Sequence, residues 1–220
     1  MATPPDLRDH RGALVAWRSA GPAAAPLALF LHGLGGRRSD WEAQLAGLAD
    51  VRRCAAWDLP GYGDSPGLPG ALPELAKLAA EWIAELGGGP ADVVGLSFGG
   101  MVAQHLALDH PELVRSLALL DTSPAFGLDG VTTPESWLAS RIKPPADDTD
   151  PLARAQGIVA GLVGAGCPDE VRDRAAASIA AVPPEALAAS CRALVEHDTR
   201  DRLHQITAPT LVLVGEEDTE

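Results

Sequence analysis

The stretch Asp92-Val93-Val94-Gly95-Leu96-Ser97-Phe98-Gly99-Gly100 carries an apolar strand into G-x-S-x-G and then into a helix-forming run, Met101 to Leu108. A strand that turns sharply into a helix forces the central residue into a strained backbone conformation. It also leaves no room for side chains two positions to either side, so Gly95 and Gly99 are a steric requirement of the turn. The Ser97 hydroxyl then stands exposed above the end of the strand, where a nucleophile belongs. The first N–H groups of the following helix lack partners and carry the positive end of its dipole, which suits an oxyanion formed beside the serine.

In an open parallel sheet the loops after the strands' carboxyl ends share one crevice, so segments that follow other strands converge on Ser97. The first, Leu31-His32-Gly33-Leu34-Gly35-Gly36, can turn the N–H of Leu34 toward the carbonyl oxygen that Ser97 attacks, paired with the N–H of Phe98. Each such donor is worth about 3 kcal/mol of barrier. His32 reads as the residue that holds this loop rather than as a general base. The second, Asp58-Leu59-Pro60-Gly61-Tyr62-Gly63-Asp64-Ser65, is a tight turn expected to support the first without chemistry of its own. The third, Gly215-Glu216-Glu217-Asp218, follows a strand; a buried carboxylate there would orient an imidazole and stabilise its protonated form. Asp218 is the preferred acid, with Glu217 one residue away, and a solvated acidic turn is the plain alternative.

These loops need a scaffold, and hydrophobic patterning supplies one. Leu7 to Arg18 reads as a hairpin turning at Gly12, and Pro26 to His32 is a continuous apolar run suited to a strand buried on both faces. Asp40 to Leu48 reads as a helix and Val51 to Leu59 as a strand. Leu72 to Leu86 places Leu75, Leu78, Ala79, Trp82 and Leu86 on one helical face before Gly87-Gly88-Gly89 ends it. Ser116 to Leu120 is the next strand. Strands alternating with helices imply an α/β fold, a mostly parallel doubly wound sheet with helices on both faces. From Thr122 to Thr207 the alternation stops: Pro134 to Ile142, Pro151 to Val163, Asp169 to Ala181 and Pro184 to Glu196 are helix-like, and Pro209 to Gly215 restores a strand. The expected organisation is a core over residues 1–121, a helical lid over 122–206 and a return to the core over 207–220.

The 220 residues hold 17 basic and 30 acidic side chains, a net charge of −13, which argues against nucleic-acid and anionic-membrane partners. The first residues show no basic and apolar leader, and no apolar run reaches the roughly 18 residues of a membrane span, so a cytoplasmic protein is expected. Cys54, Cys167 and Cys191 are odd in number and far apart; they read as buried small hydrophobes, not as a disulfide framework or metal site. No metal and no cofactor is expected.

Together these motifs resemble the α/β-hydrolase family: an H-G loop at His32-Gly33, a D-x-x-G-x-G-x-S turn at Asp58 to Ser65, a nucleophile elbow at Gly95 to Gly99 and a strand-then-acid segment at Leu211 to Asp218. Gly95 to Val102, Thr133 to Trp137 and the run from Cys191 through Asp198-Thr199-Arg200-Asp201 to Leu211 are similar to its 3-oxoadipate enol-lactonase branch. The resemblance implies a serine-dependent hydrolase acting on a small carboxylic ester or lactone, with Trp137 and Arg141 as candidates to meet a substrate carboxylate.

The family's triad runs serine, acid, histidine, yet only Thr219 and Glu220 follow Asp218. The expectation is a C-terminally truncated chain that lacks the last strand and helix. It would also lack the base for Ser97, a loss on the order of 10⁶ in turnover. The histidines present are His10, His32, His105, His110, His197 and His204. An order Ser97, Asp121, then His197 or His204 is the rearrangement that would restore a triad. A non-catalytic small-molecule binding protein, or haloperoxidase-like, thioesterase or peptidase chemistry on the same scaffold, are the alternatives.

Overall fold

Alternating apolar runs place both faces of one sheet against helices in the computed structural model, which describes residues 6–142 and 150–218. Residues 1–5, where the absence of a leader was read, residues 143–149 of the helical segment, and Thr219 and Glu220 lie outside the described residues. Among the described residues the seven strands are β1 (Arg8–Arg11), β2 (Ala16–Ala20), β3 (Leu27–Leu31), β4 (Arg53–Trp57), β5 (Ala91–Leu96), β6 (Val114–Leu120) and β7 (Thr210–Leu213), ordered β1-β2-β4-β3-β5-β6-β7. The β1/β2 and β2/β4 pairs are antiparallel and the other pairs parallel. Gly12 makes the first turn, its N–H bonded to the Val15 carbonyl at 2.9 Å.

Strand periodicity separates the core into two layers. Leu27, Leu29 and Leu31 of β3, with Trp57 and Val93, pack against α2 (Leu72–Glu85) and α3 (Phe98–Asp109). The alternate residues Ala28 and Phe30, with Cys54 and Ala56, pack against Trp41 and Leu45 of the turn and helix that lead through α1 (Glu42–Leu48). Helix α3 is buried on nearly every side, as expected of a helix that fills the centre of a domain. Cys54 and Cys191 are buried as expected; Cys167 is only half-buried, because it sits on the turn after α5 where its carbonyl accepts from the Arg172 guanidinium.

Between β6 and β7 the chain forms α4 (Pro134–Arg141), α5 (Pro151–Leu162), α6 (Asp169–Ala180) and α7 (Pro184–Val195). The outgoing and returning strands of this segment pair at Ala125 and Asp198, a bridge absent from the sequence expectations. Gln104 ties the junction to α3, donating to the Ser123 carbonyl and accepting from Thr199. Beside it His105 and His197 meet edge-on with ring centroids 5.4 Å apart.

Burial, with the His105 charge adding to it, brings the His197 imidazole down from an ordinary value of 6.5 to about 4; burial lowers His32 and His105 as well. An imidazole with a depressed folded value takes up its proton more readily when the chain unfolds. Stability is therefore full above about pH 6.5 and is lost as pH falls toward 4, by about 3 kcal/mol for His197 alone. Urea midpoints at pH 7 and pH 4.5 are expected to diverge, and His197→Gln to narrow the gap; equal gaps in both proteins would contradict this assignment.

Candidate active site

Ser97 occupies the turn between β5 and α3 with φ 49° and ψ −117°, a region that costs a non-glycine residue about 1–3 kcal/mol. The turn is tight enough to exclude side chains. A Cβ on Gly95 would lie 2.5 Å from the Gly99 carbonyl oxygen, and one on Gly99 would lie 2.1 Å from that of Leu31. Gly99→Ala is expected to cost more than about 3 kcal/mol because backbone, not a movable side chain, must give way. A thermal melt within a few degrees of the parent would contradict it.

The Gly-rich loop lies against this turn. A Cβ built on Gly33 would be 3.1 Å from the Ser97 Cβ and 3.8 Å from its Oγ. Phe98 begins α3, so its N–H has no carbonyl within the helix, and the Leu34 N–H donates to no acceptor among the described residues. His32 holds the loop from beneath. Its Nδ1 lies 2.8 Å from the Gly33 carbonyl and its Nε2 accepts the Leu59 N–H at 3.0 Å, which fixes the proton on Nδ1. Asp58, fully buried, accepts the Arg38 N–H at 2.8 Å, the Arg38 guanidinium, and the Asp64 N–H at 3.1 Å. The loop exit and the Asp58–Ser65 turn are thus one unit. Helix α6 closes over it: Ser178 donates to Asp40 at 2.7 Å and accepts from Arg37 at 2.9 Å.

The acid segment follows β7. The Asp218 N–H donates to the Gly215 carbonyl at 3.1 Å, closing the turn, but Asp218 is exposed rather than buried as expected. The reason is local, since all four residues of β7 are exposed and no described element packs over them. Glu217, the neighbouring candidate, accepts the Ala165 N–H at 3.0 Å and is tied to the helical segment. A cleft of about 360 Å³ borders this turn, lined by Asp121, Leu162, Gly164 and residues 215–218. A larger hollow, about 420 Å³, lies at the opposite ends of the strands around Arg53 and Arg115, away from Ser97.

On α4, the Arg141 guanidinium lies 5.4 Å from the Trp137 ring centroid, and Trp137 meets Phe126 edge-on at 5.6 Å. Phe126 was not singled out by sequence, since its neighbour is set by the bridge at Ala125. The rearranged triad is not formed: His197 Nε2 bonds the Ser123 carbonyl, the Asp121 carboxylate accepts the Gly215 N–H, and His204 is exposed. Among the described residues no histidine hydrogen-bonds Ser97.

A mostly parallel sheet with a serine in a strained strand-to-helix turn beside a glycine loop defines the alpha/beta hydrolases, and the chain belongs to that family, whose model matches residues 28–220. A pimeloyl-[acyl-carrier protein] methyl ester esterase of Vibrio cholerae is 32% identical over 192 residues, covering 85% of this chain and 74% of the relative. A hydrolase from Pseudomonas aeruginosa superposes with a TM-score of 0.80 at 28% identity over 96% of this chain and 80% of that one. The enol-lactonase of Burkholderia xenovorans gives 0.80 at 23% identity over 95% and 81%, a likeness of fold. Another relative is matched over only 26% of its length.

Proposed function

We propose that this chain is a serine-dependent hydrolase of small carboxylic esters or lactones, with Ser97 as nucleophile and the N–H groups of Leu34 and Phe98 as the oxyanion hole. One observation carries the reading: Ser97 stands in its strained turn against Gly33, beside two backbone donors without acceptors. Ser97 Oγ attacks the carbonyl carbon, the two N–H groups stabilise the oxyanion, and collapse expels the alcohol or opens the lactone to leave an acyl-serine. Water then releases the acid. Asp218 is the acid of the charge system, the helical segment 122–206 is the lid, and Trp137 and Arg141 are its candidate substrate contacts. No described histidine stands ready to take the Ser97 proton, so the 220-residue chain is expected to acylate slowly and to deacylate more slowly still. The proposed substrate is a small carboxylic ester or lactone; the esterase relative is named for a methyl ester borne on an acyl-carrier protein and shares with it the ester bond. No helix of the described residues is long and apolar enough to cross a membrane, and we place the protein in the cytoplasm.

That no described histidine hydrogen-bonds Ser97 also favours a second reading, in which the 220-residue chain binds small esters without turning them over. Offering p-nitrophenyl esters, lactones, thioesters and peptides as acyl donors separates the two. An acyl adduct on Ser97 is expected from the esters, and a ring-opened adduct carrying the whole mass from the lactones. Saturable binding with no adduct from any donor would favour the binding protein.

A further inference from the structure

Three consecutive residues at the end of β6 reach both halves of the candidate site. The Leu120 carbonyl accepts the Ser97 N–H at 2.9 Å. Thr122 Oγ1 donates to the Ser97 carbonyl at 2.8 Å, so the strained residue is held at its amide and at its carbonyl from one neighbouring strand end. Between them, Asp121 takes φ 41°, a left-handed conformation that aspartate tolerates better than most side chains. That bend turns Thr122 back toward the serine. It also directs the Asp121 carboxylate at the neighbouring loop, where Oδ1 accepts the Gly215 N–H at 2.8 Å, while the Asp121 N–H donates to the Leu213 carbonyl at 2.9 Å. Thr122 is seated closely: a Cβ on Gly100 would lie 2.7 Å from its Cβ, Cγ2 and Oγ1.

The geometry points to Asp121 and Thr122 as a pair of positioning residues that register the Ser97 turn against the acid turn 215–218. This rests on the serine-hydrolase reading above for its catalytic meaning. Neither side chain touches the reacting atoms. Thr122 fixes the peptide that carries the nucleophile and its Phe98 donor; Asp121 fixes the first residue of the turn that carries Asp218. A clamp built on adjacent residues of one strand end couples the two turns through a path of few bonds, which matters because displacements near 1 Å at a reacting centre cost about 100-fold in rate. Asp121 Oδ1 is thus engaged in holding the acid turn.

The test uses Thr122→Val, which keeps the shape and removes the hydroxyl, with Thr122→Ser as its rescue. Asp121→Gly keeps the left-handed bend and removes the acceptor, with Asp121→Asn restoring an oxygen. Saturation kinetics of Ser97 acetylation by p-nitrophenyl acetate are read by mass, alongside amide hydrogen exchange at Ser97 and Gly215. Thr122→Val is expected to slow acetylation at saturation by about tenfold or more with unchanged half-saturation and to speed exchange at Ser97, whose N–H is bonded to the Leu120 carbonyl, Thr122→Ser restoring both. Asp121→Gly is expected to speed exchange at Gly215, and Asp121→Asn to restore protection. Parental acetylation and exchange in Thr122→Val, failure of serine to rescue, or unchanged Gly215 exchange in Asp121→Gly would overturn the proposal. Should the parent and Ser97→Ala take up acetyl equally, the serine reading falls, and exchange at Ser97 and Gly215 alone decides whether the clamp exists.

Discussion

Ser97→Ala is expected to abolish the acyl adduct while leaving slow ester hydrolysis almost unchanged. The asymmetry follows from how triad residues act. When one member of the unit is missing, removing another costs little more, and what remains is on the order of 10³–10⁴ over water from the oxyanion hole and binding. With no imidazole bonded to Ser97 among the described residues, turnover in the 220-residue chain is already at that level. Acyl transfer to the serine oxygen persists, because the Leu34 and Phe98 N–H groups need no base to stabilise the oxyanion, and each is worth about 3 kcal/mol. Deacylation needs an activated water and is slower, so the adduct accumulates in the parent and has no oxygen to form on in the variant. Adduct counted by intact mass and hydrolysis followed by the steady-state release of p-nitrophenolate, after the one equivalent that acylation itself liberates, measure the two quantities on the same sample. A large fall in hydrolysis with Ser97→Ala would mean that a base acts on the serine after all.

Asp58→Ala is expected to be the most destabilising side-chain truncation in the loops that frame the site. The carboxylate is 1% exposed and accepts the Arg38 N–H, the Arg38 guanidinium and the Asp64 N–H. Arg38 is itself only 12% exposed at its side chain, so losing Asp58 strands a largely buried cation, although Asp9 and Asp64 also pair with it. Breaking a buried pair by removing one partner costs about 3–5 kcal/mol. At roughly 2–4 °C per kcal/mol for a chain of this size, the melting temperature falls by roughly 6–20 °C. Asp58→Asn keeps an oxygen for the Arg38 N–H and is expected to lie between. A change of less than about 2 °C in Asp58→Ala would show that the outer aspartates carry the arginine by themselves. Acylation of Ser97 should slow in parallel, since Arg38 ends the loop that presents the Leu34 N–H.

The scaffold was legible because its signals are local. β3 is five apolar residues in a row, and both of its faces are buried; the helices between β6 and β7 start at Pro134, Pro151, Asp169 and Pro184, where the sequence places them. Start positions were softer. β6 begins at Val114 rather than Ser116 because a short turn at Pro111–Leu113 delivers the chain into the sheet two residues earlier. The glycines around Ser97 could be read because their function is steric and adjacent in sequence. The bonds from Thr122 to Ser97 and from Asp121 to Gly215 span 25 and 94 residues and leave no pattern in either segment. Asp218 stands in an exposed turn, the alternative that the sequence itself offers. An apolar run such as Leu211–Val214 announces a strand that favours burial, yet says nothing about what covers it, and here those residues are 51–72% exposed.

The most direct measurement is peptide-mapped mass spectrometry of the 220-residue chain after incubation with p-nitrophenyl acetate at neutral pH. A single acetyl group on the peptide containing Ser97, absent from Ser97→Ala, is the expected result. Acetyl groups spread over lysine and the amino terminus, with Ser97 unmodified, would contradict it.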